Sequence, residues 1–138
     1  MINMRRGQIS VEYLVVVGFI VFLIISVVAV AFFYTSGIKD RIRINQATDY
    51  ANKIVSSAES VYYAGEPSKL TITAYLPVGV NEISVVENSI IISMTTNSGE
   101  TTMAFSSNVP IDGNVSKGEG VKKIVVLAEE DRVYFNDF

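Results

Sequence analysis

Hydrophobic and polar positions divide this chain into three regimes. From Tyr13 to Tyr34 every residue is hydrophobic except Gly18 and Ser26, and no charge lies between Glu12 and Lys39. From Lys39 the apolar residues recur at three- and four-residue steps, through Ile44, Ala47, Ala51, Ile54, Val55, Ala58 and Tyr62. That spacing lays a stripe along one side of an α-helix. After Pro67 the period falls to two, most cleanly in Leu70-Thr71-Ile72-Thr73-Ala74-Tyr75-Leu76, which is the alternation of a half-buried strand.

The first two regimes predict one helix. Roughly 20 residues at 1.5 Å each match a bilayer core of about 30 Å. A helix apolar on every side must sit in lipid or at the centre of a larger assembly. The run is rich in Val and Ile, which favour strands in water, but in lipid the backbone must satisfy its own hydrogen bonds. The helix is expected to start near Ile9 and to continue to Tyr63, where Gly65 can cap it and Pro67 cannot extend it. Such a helix is about 80 Å long, far more than one bilayer needs. Gly18 and Gly37 are its weak points, as packing sites, as a membrane exit or as hinges, and Asp49 and Lys53 form an i,i+4 pair away from the stripe.

The third regime predicts short strands at 70–76, 83–86, 89–96, 101–106, 122–128 and 132–135. Glu87-Asn88 and Asn97-Ser98-Gly99 read as turns, and Asn108 to Gly120, with Pro110 and three glycines, reads as a loop. The last two strands pair around Glu129-Glu130-Asp131. The expected fold is α+β: a long N-terminal helix packed against a small antiparallel sheet head. The stripe on residues 44–62 covers one sheet face, because a head of about 75 residues alone would be marginal. Three segments follow: 1–7 ahead of the fold, 8–63 as the helix with 13–34 as its membrane or core part, and 64–138 as the head.

Composition removes several functions. The 138 residues hold no cysteine and no histidine, which closes the usual zinc, Cys–His and Ser–His chemistries and leaves no disulfide staples. No phosphate loop, nucleophile elbow or EF-hand is present. Carboxylate-only catalysis and Ca²⁺ binding stay open by composition, but nothing in the chain reads as an enzyme and no cofactor or metal site is expected. Its net charge is −3, so nucleic acid is not an expected partner. Residues 64–138 hold ten acids against five bases, whereas residues 38–63 hold four bases against three acids. Acidic heads could therefore face the basic stretch Lys39, Arg41 and Arg43 of neighbouring copies, or simply be solvated. Those three bases also mean that positive-inside counting alone does not orient the helix.

The residues ahead of the apolar run are the most specific. Arg5 and Arg6 form a short basic region, Thr35-Ser36-Gly37 could imitate a conventional signal cleavage site, and Glu12 is a lone carboxylate at the mouth of the run. Taken alone, Glu12 is either a first-turn acid favoured by the helix dipole or a functional group in an apolar place. Arg5-Arg6-Gly7 followed by Gln8-x-Ser10-x-Glu12-Tyr13 and a long apolar helix resembles an archaeal type IV pilin with a class III signal peptide. The resemblance implies cleavage between Gly7 and Gln8 by a prepilin peptidase, with the helix retained. Glu12 then becomes the fifth mature residue, where type IV pilins carry a glutamate, and pairs with the amino terminus at Gln8 of a neighbour. It also implies an assembly ATPase and its membrane platform as partners, besides further copies of the chain. The product would be an adhesion filament at the cell surface, membrane-inserted before assembly. A minor pilin, a sugar-uptake pseudopilin and an archaellin belong to the same class.

Asn114-Val115-Ser116 is the only Asn-x-Ser/Thr sequence and lies in the expected loop, so Asn114 is a candidate glycan acceptor. The other reading of the whole is a single-pass membrane protein with an extracellular β-rich binding domain, in which Glu12 has no special task.

Overall fold

The computed structural model describes residues 5–137 and the side chains of residues 10–137. Helix α1 runs unbroken over Arg5–Ala64. Of the expected leader 1–7, residues 1–4 lie outside the described residues and the other three are helical, so the helix starts earlier than Ile9. Arg and Gln are good helix formers, and a single Gly at position 7 costs only about 1 kcal/mol against Ala. Gly18 and Gly37 do not interrupt it. At its end Gly65 takes φ +77 and donates its N–H to the Tyr62 carbonyl, the cap expected there.

The chain divides into two compact units, Met1–Ile38 and Lys39–Phe138. In the second unit seven strands follow the helix: β1 (Lys69–Leu76), β2 (Val80–Val86), β3 (Ser89–Thr96), β4 (Gly99–Ser106), β5 (Ile111–Asn114), β6 (Gly120–Ala128) and β7 (Val133–Asp137). The fold is α+β with a small sheet head, as expected. The strands form two sheets, one ordered β1-β6-β7-β5 and the other β2-β3-β4. All pairings are antiparallel except β5 with β7. The turn at Glu87-Asn88 forms, with Glu87 at φ 53, and Asn97-Ser98 connects β3 to β4.

β5 is the correction. Residues 108–120 contain a four-residue strand where Pro110 and the glycines predict loop. Its pairing is long-range: Ile111 to Asn114 lie parallel to Val133 to Asn136, and the Val133 N–H donates to the Pro110 carbonyl at 2.8 Å. Gly113 permits this approach. It sits at φ +130, and a Cβ there would lie 2.4 Å from the Phe135 carbonyl oxygen.

The core lies between the sheets and the stripe of α1. Ala47, Ala51, Ile54 and Ala58 are buried as the spacing predicts, but Tyr50 and Val61 occupy the centre while Val55 and Tyr62 are only partly covered. They meet Ile72, Ile90, Ile92, Ile124, Val126 and Phe135. Alanine at three of the helix positions lets the sheets approach closely, and the large Tyr50 ring fills the layer between them. Its hydroxyl is buried without a hydrogen-bond partner among the described residues. Burial, and then the charge of Asp137, push the Tyr50 phenol well above its ordinary range.

Three helix side chains tie the strands to α1. Asp40 is 7% exposed and its Oδ2 accepts from the Asn97 N–H at 2.9 Å. Glu59 Oε1 accepts from the Asn108 side-chain amide at 2.8 Å and from its N–H at 3.2 Å. Lys53 donates to the Thr73 carbonyl at 2.6 Å. The expected Asp49–Lys53 pair is therefore not formed: Lys53 reaches the sheet, and the one ion pair among the described residues is Arg132–Asp112 at 3.0 Å.

Candidate functional site

The feature that sets this chain apart is its first unit. From Ser10 to Lys39 every side chain is exposed except the half-buried Ser26. Leu14, Phe32 and Phe33 are 71%, 72% and 82% exposed. The polar atoms are satisfied within the helix. Ser26 Oγ donates to the Phe22 carbonyl at 2.8 Å, and Thr35 Oγ1 to the Ala31 carbonyl at 2.9 Å. A helix with closed hydrogen bonding and apolar side chains on every side suits hydrocarbon, not water. It is long and apolar enough to cross a membrane. This unit is a candidate for membrane insertion or for the interior of an assembly.

The expected site residues fall in two places. Gly7 and Gln8 are in the helical backbone, one turn ahead of Glu12. Glu12 is exposed, and none of the described side chains bonds to it. Asn114 belongs to the second unit and ends β5, where a loop was expected, opposite Asn136 of β7. It is exposed all the same. Ser116, the third residue of that sequence, is held on both sides: its N–H donates to Asp137 Oδ2 at 2.8 Å and its Oγ accepts from Lys122 Nζ at 2.5 Å.

The second unit has open clefts of its own. One of about 350 Å³ lies where the two sheets meet and is lined by Glu87, Asn88, Pro110, Asp112 and Arg132. A second, of about 400 Å³, lies between α1 and β1 and is lined by Gln46, Asp49, Tyr50, Lys53 and Tyr75. Among the described residues no three of His, Cys, Asp or Glu are grouped to hold a metal ion. Sequence reasoning missed the Asp40 and Glu59 anchors, because a lone acid on a helix gives no signal of the loop N–H it will meet.

Compared with known protein families, with curated proteins and with solved structures, the chain matches none.

Proposed function

We propose that this chain is the structural subunit of an archaeal type IV pilus-like filament, polymerised through the apolar half of α1. The observation that carries the reading is the uncovered run from Ser10 to Ile38, continuous with a helix whose second half forms the core of a folded head. A plain membrane anchor accounts for the apolar run alone. The filament reading also accounts for Arg6-Gly7-Gln8 and for Glu12 at fixed spacing ahead of it. The precursor sits in the membrane, a prepilin peptidase cuts between Gly7 and Gln8, and an assembly ATPase with its membrane platform adds copies to a surface filament that serves adhesion.

Polymerisation removes the apolar surface from lipid and keeps it from water, where exposure would cost about 25 cal/mol per Å². The association is heterologous and open, with no closed symmetry to end it. Glu12 then lies among packed helices, one turn from the new α-amine of Gln8 and at the depth of the neighbours' amines. Pairing with one of them compensates its charge and sets the axial register. Asn114, exposed on the head, carries a glycan in this reading.

Intact-mass analysis of the protein from cells tests the central step. The expected product begins at Gln8 and retains the apolar helix. A product beginning near Lys39, or still carrying Arg5 and Arg6, overturns the filament reading and leaves the single-pass membrane protein.

A further inference from the structure

Residues directly opposite across paired strands share a face, so register and burial together sort the head's side chains. In the four-stranded sheet Ile72, Ile124, Val126 and Phe135 are buried in the core. The alternate positions face outward: Lys69 opposite the half-buried Leu127, Thr71 opposite Val125, Thr73 opposite Lys123, and Tyr75 opposite Val121; of these only Val125 is buried. Tyr75 and Val121 are 46% and 70% exposed. Among the described residues neither lysine has an ion-pair partner, and Asp112, on the far edge strand, is paired with Arg132.

The three-stranded sheet is its opposite. Ile90, Ile92 and Met94 are buried, and the outward rows hold Glu82, Ser93 and Thr102 in one line, Ser84, Ile91 and Ala104 in another, Thr95 with Glu100 in a third, and Val86, Ser89 and Ser106 in a fourth. Its charged side chains are Glu82 and Glu100, and most of the rest are short. One face is thus basic and carries a half-exposed aromatic ring at its edge, whereas the other is acidic and built mostly of short side chains. With strands 4.8 Å apart and 3.3 Å per residue, the two lysines stand about 14 Å apart and the two glutamates about 12 Å apart.

We propose that these faces dock on each other between copies, the outer face of β1–β6 of one head against the outer face of β2–β3–β4 of the next. The inference rests on the filament reading. Both faces are present on every copy and they match in sign and spacing, which makes the contact heterologous and open. Three strands of this length project about 370 Å², against about 800 Å² per partner in a stable complex. The contact is too small to hold free copies together. It forms once the apolar helices confine the heads side by side, where the effective concentration is high, and the charges then fix its register. Asn114 lies about 10 Å beyond β6 on the far edge strand and stays outside the contact.

The absence of cysteine gives a clean test on the full chain. Lys123→Cys and Glu100→Cys are introduced together, and cells carrying the protein are treated with a short bis-maleimide. The expected result is a ladder extending past the dimer, because each copy reacts at both faces. Each single-Cys variant should remain monomeric. Adding Lys69→Glu should remove the ladder, and adding Glu82→Lys in the same chain should restore it. Filaments without a ladder overturn this contact and leave the filament reading standing. A ladder among membrane-held copies that form no filaments supports the contact and counts against filaments. Efficient dimers from Lys123→Cys alone show the face meeting its own copy, which also overturns the proposal.

Discussion

One continuous helix has two opposite environments. Between residues 39 and 64 most apolar side chains of α1 form a stripe one to two residues wide at each turn, and two sheets of the same chain cover it. Between residues 10 and 38 the apolar side chains point in every direction and are exposed. The difference is one of pattern, not of helix formation, since Gly18 and Gly37 leave the backbone ladder intact. A stripe can be covered by one layer. A cylinder apolar all round can be covered only by something that surrounds it, either lipid or several neighbours.

The largest effect that separates the regions is core truncation. Phe135→Ala should cost the head about 3–5 kcal/mol, because the buried ring leaves a cavity. Thermal unfolding of the head should fall by tens of degrees or become uncooperative. Phe22→Ala, at a side chain 65% exposed, should leave that transition where it was. Equal losses from both would show that the apolar segment does support the head.

Glu12→Gln sharpens the comparison from the other side. It keeps the shape and removes the charge. Breaking a buried pair costs about 3–5 kcal/mol, while a first-turn dipole effect is worth only about 0.3–1 kcal/mol. The expected outcome is cleaved, membrane-held protein with a normally folded head and few filaments in electron micrographs. Filaments of normal length and number would make Glu12 an ordinary first-turn acid.

Gly113→Ala is a smaller change confined to the head. Its Cβ meets backbone, not a flexible side chain, and its φ of +130 is strained for any other residue. A loss of about 1–3 kcal/mol is expected, measured by denaturant unfolding, with β5 released from β7. An unchanged midpoint would mean that the β5–β7 pairing contributes little.

The smallest effect is at Tyr50. Its buried hydroxyl has no partner among the described residues, so Tyr50→Phe should be close to neutral at pH 7. The phenol's ordinary value is 10.0 and burial raises it in the fold. The unfolded chain therefore loses its proton first as the pH rises above 10. The stability contributed is fully present below that pH and is lost as the pH climbs toward the folded value. Tyr50→Phe should unfold less readily in alkali than the parent, and identical alkaline profiles would show the hydroxyl to be solvated.

Much of the architecture was legible because it depends on local order. The apolar run, the stripe at three- and four-residue steps, the Gly65 stop and the alternation in β1 each follow from side-chain spacing along a single segment. Tyr50 was less legible: an aromatic ring with a hydroxyl gives no sign of whether it faces water or the core. The Asp49–Lys53 expectation failed for a related reason. Neighbours on a helix compete with any carbonyl a strand brings within reach, and Thr73 is not adjacent to Lys53 in sequence.

The sequence by itself determined that this protein has a long helix apolar at one end and striped at the other, followed by a β-rich head. Those patterns are periodic, and periodicity survives without knowing what lies opposite. Only the tertiary structure decided that there are two sheets, that β5 runs parallel to β7, and that Asp40, Lys53 and Glu59 tie the strands to α1. Each of these depends on pairings between residues 20 or more positions apart, such as Ile111 with Val133 or Asp40 with Asn97. A short strand gains its hydrogen bonds from its partner, so its own residues do not announce it.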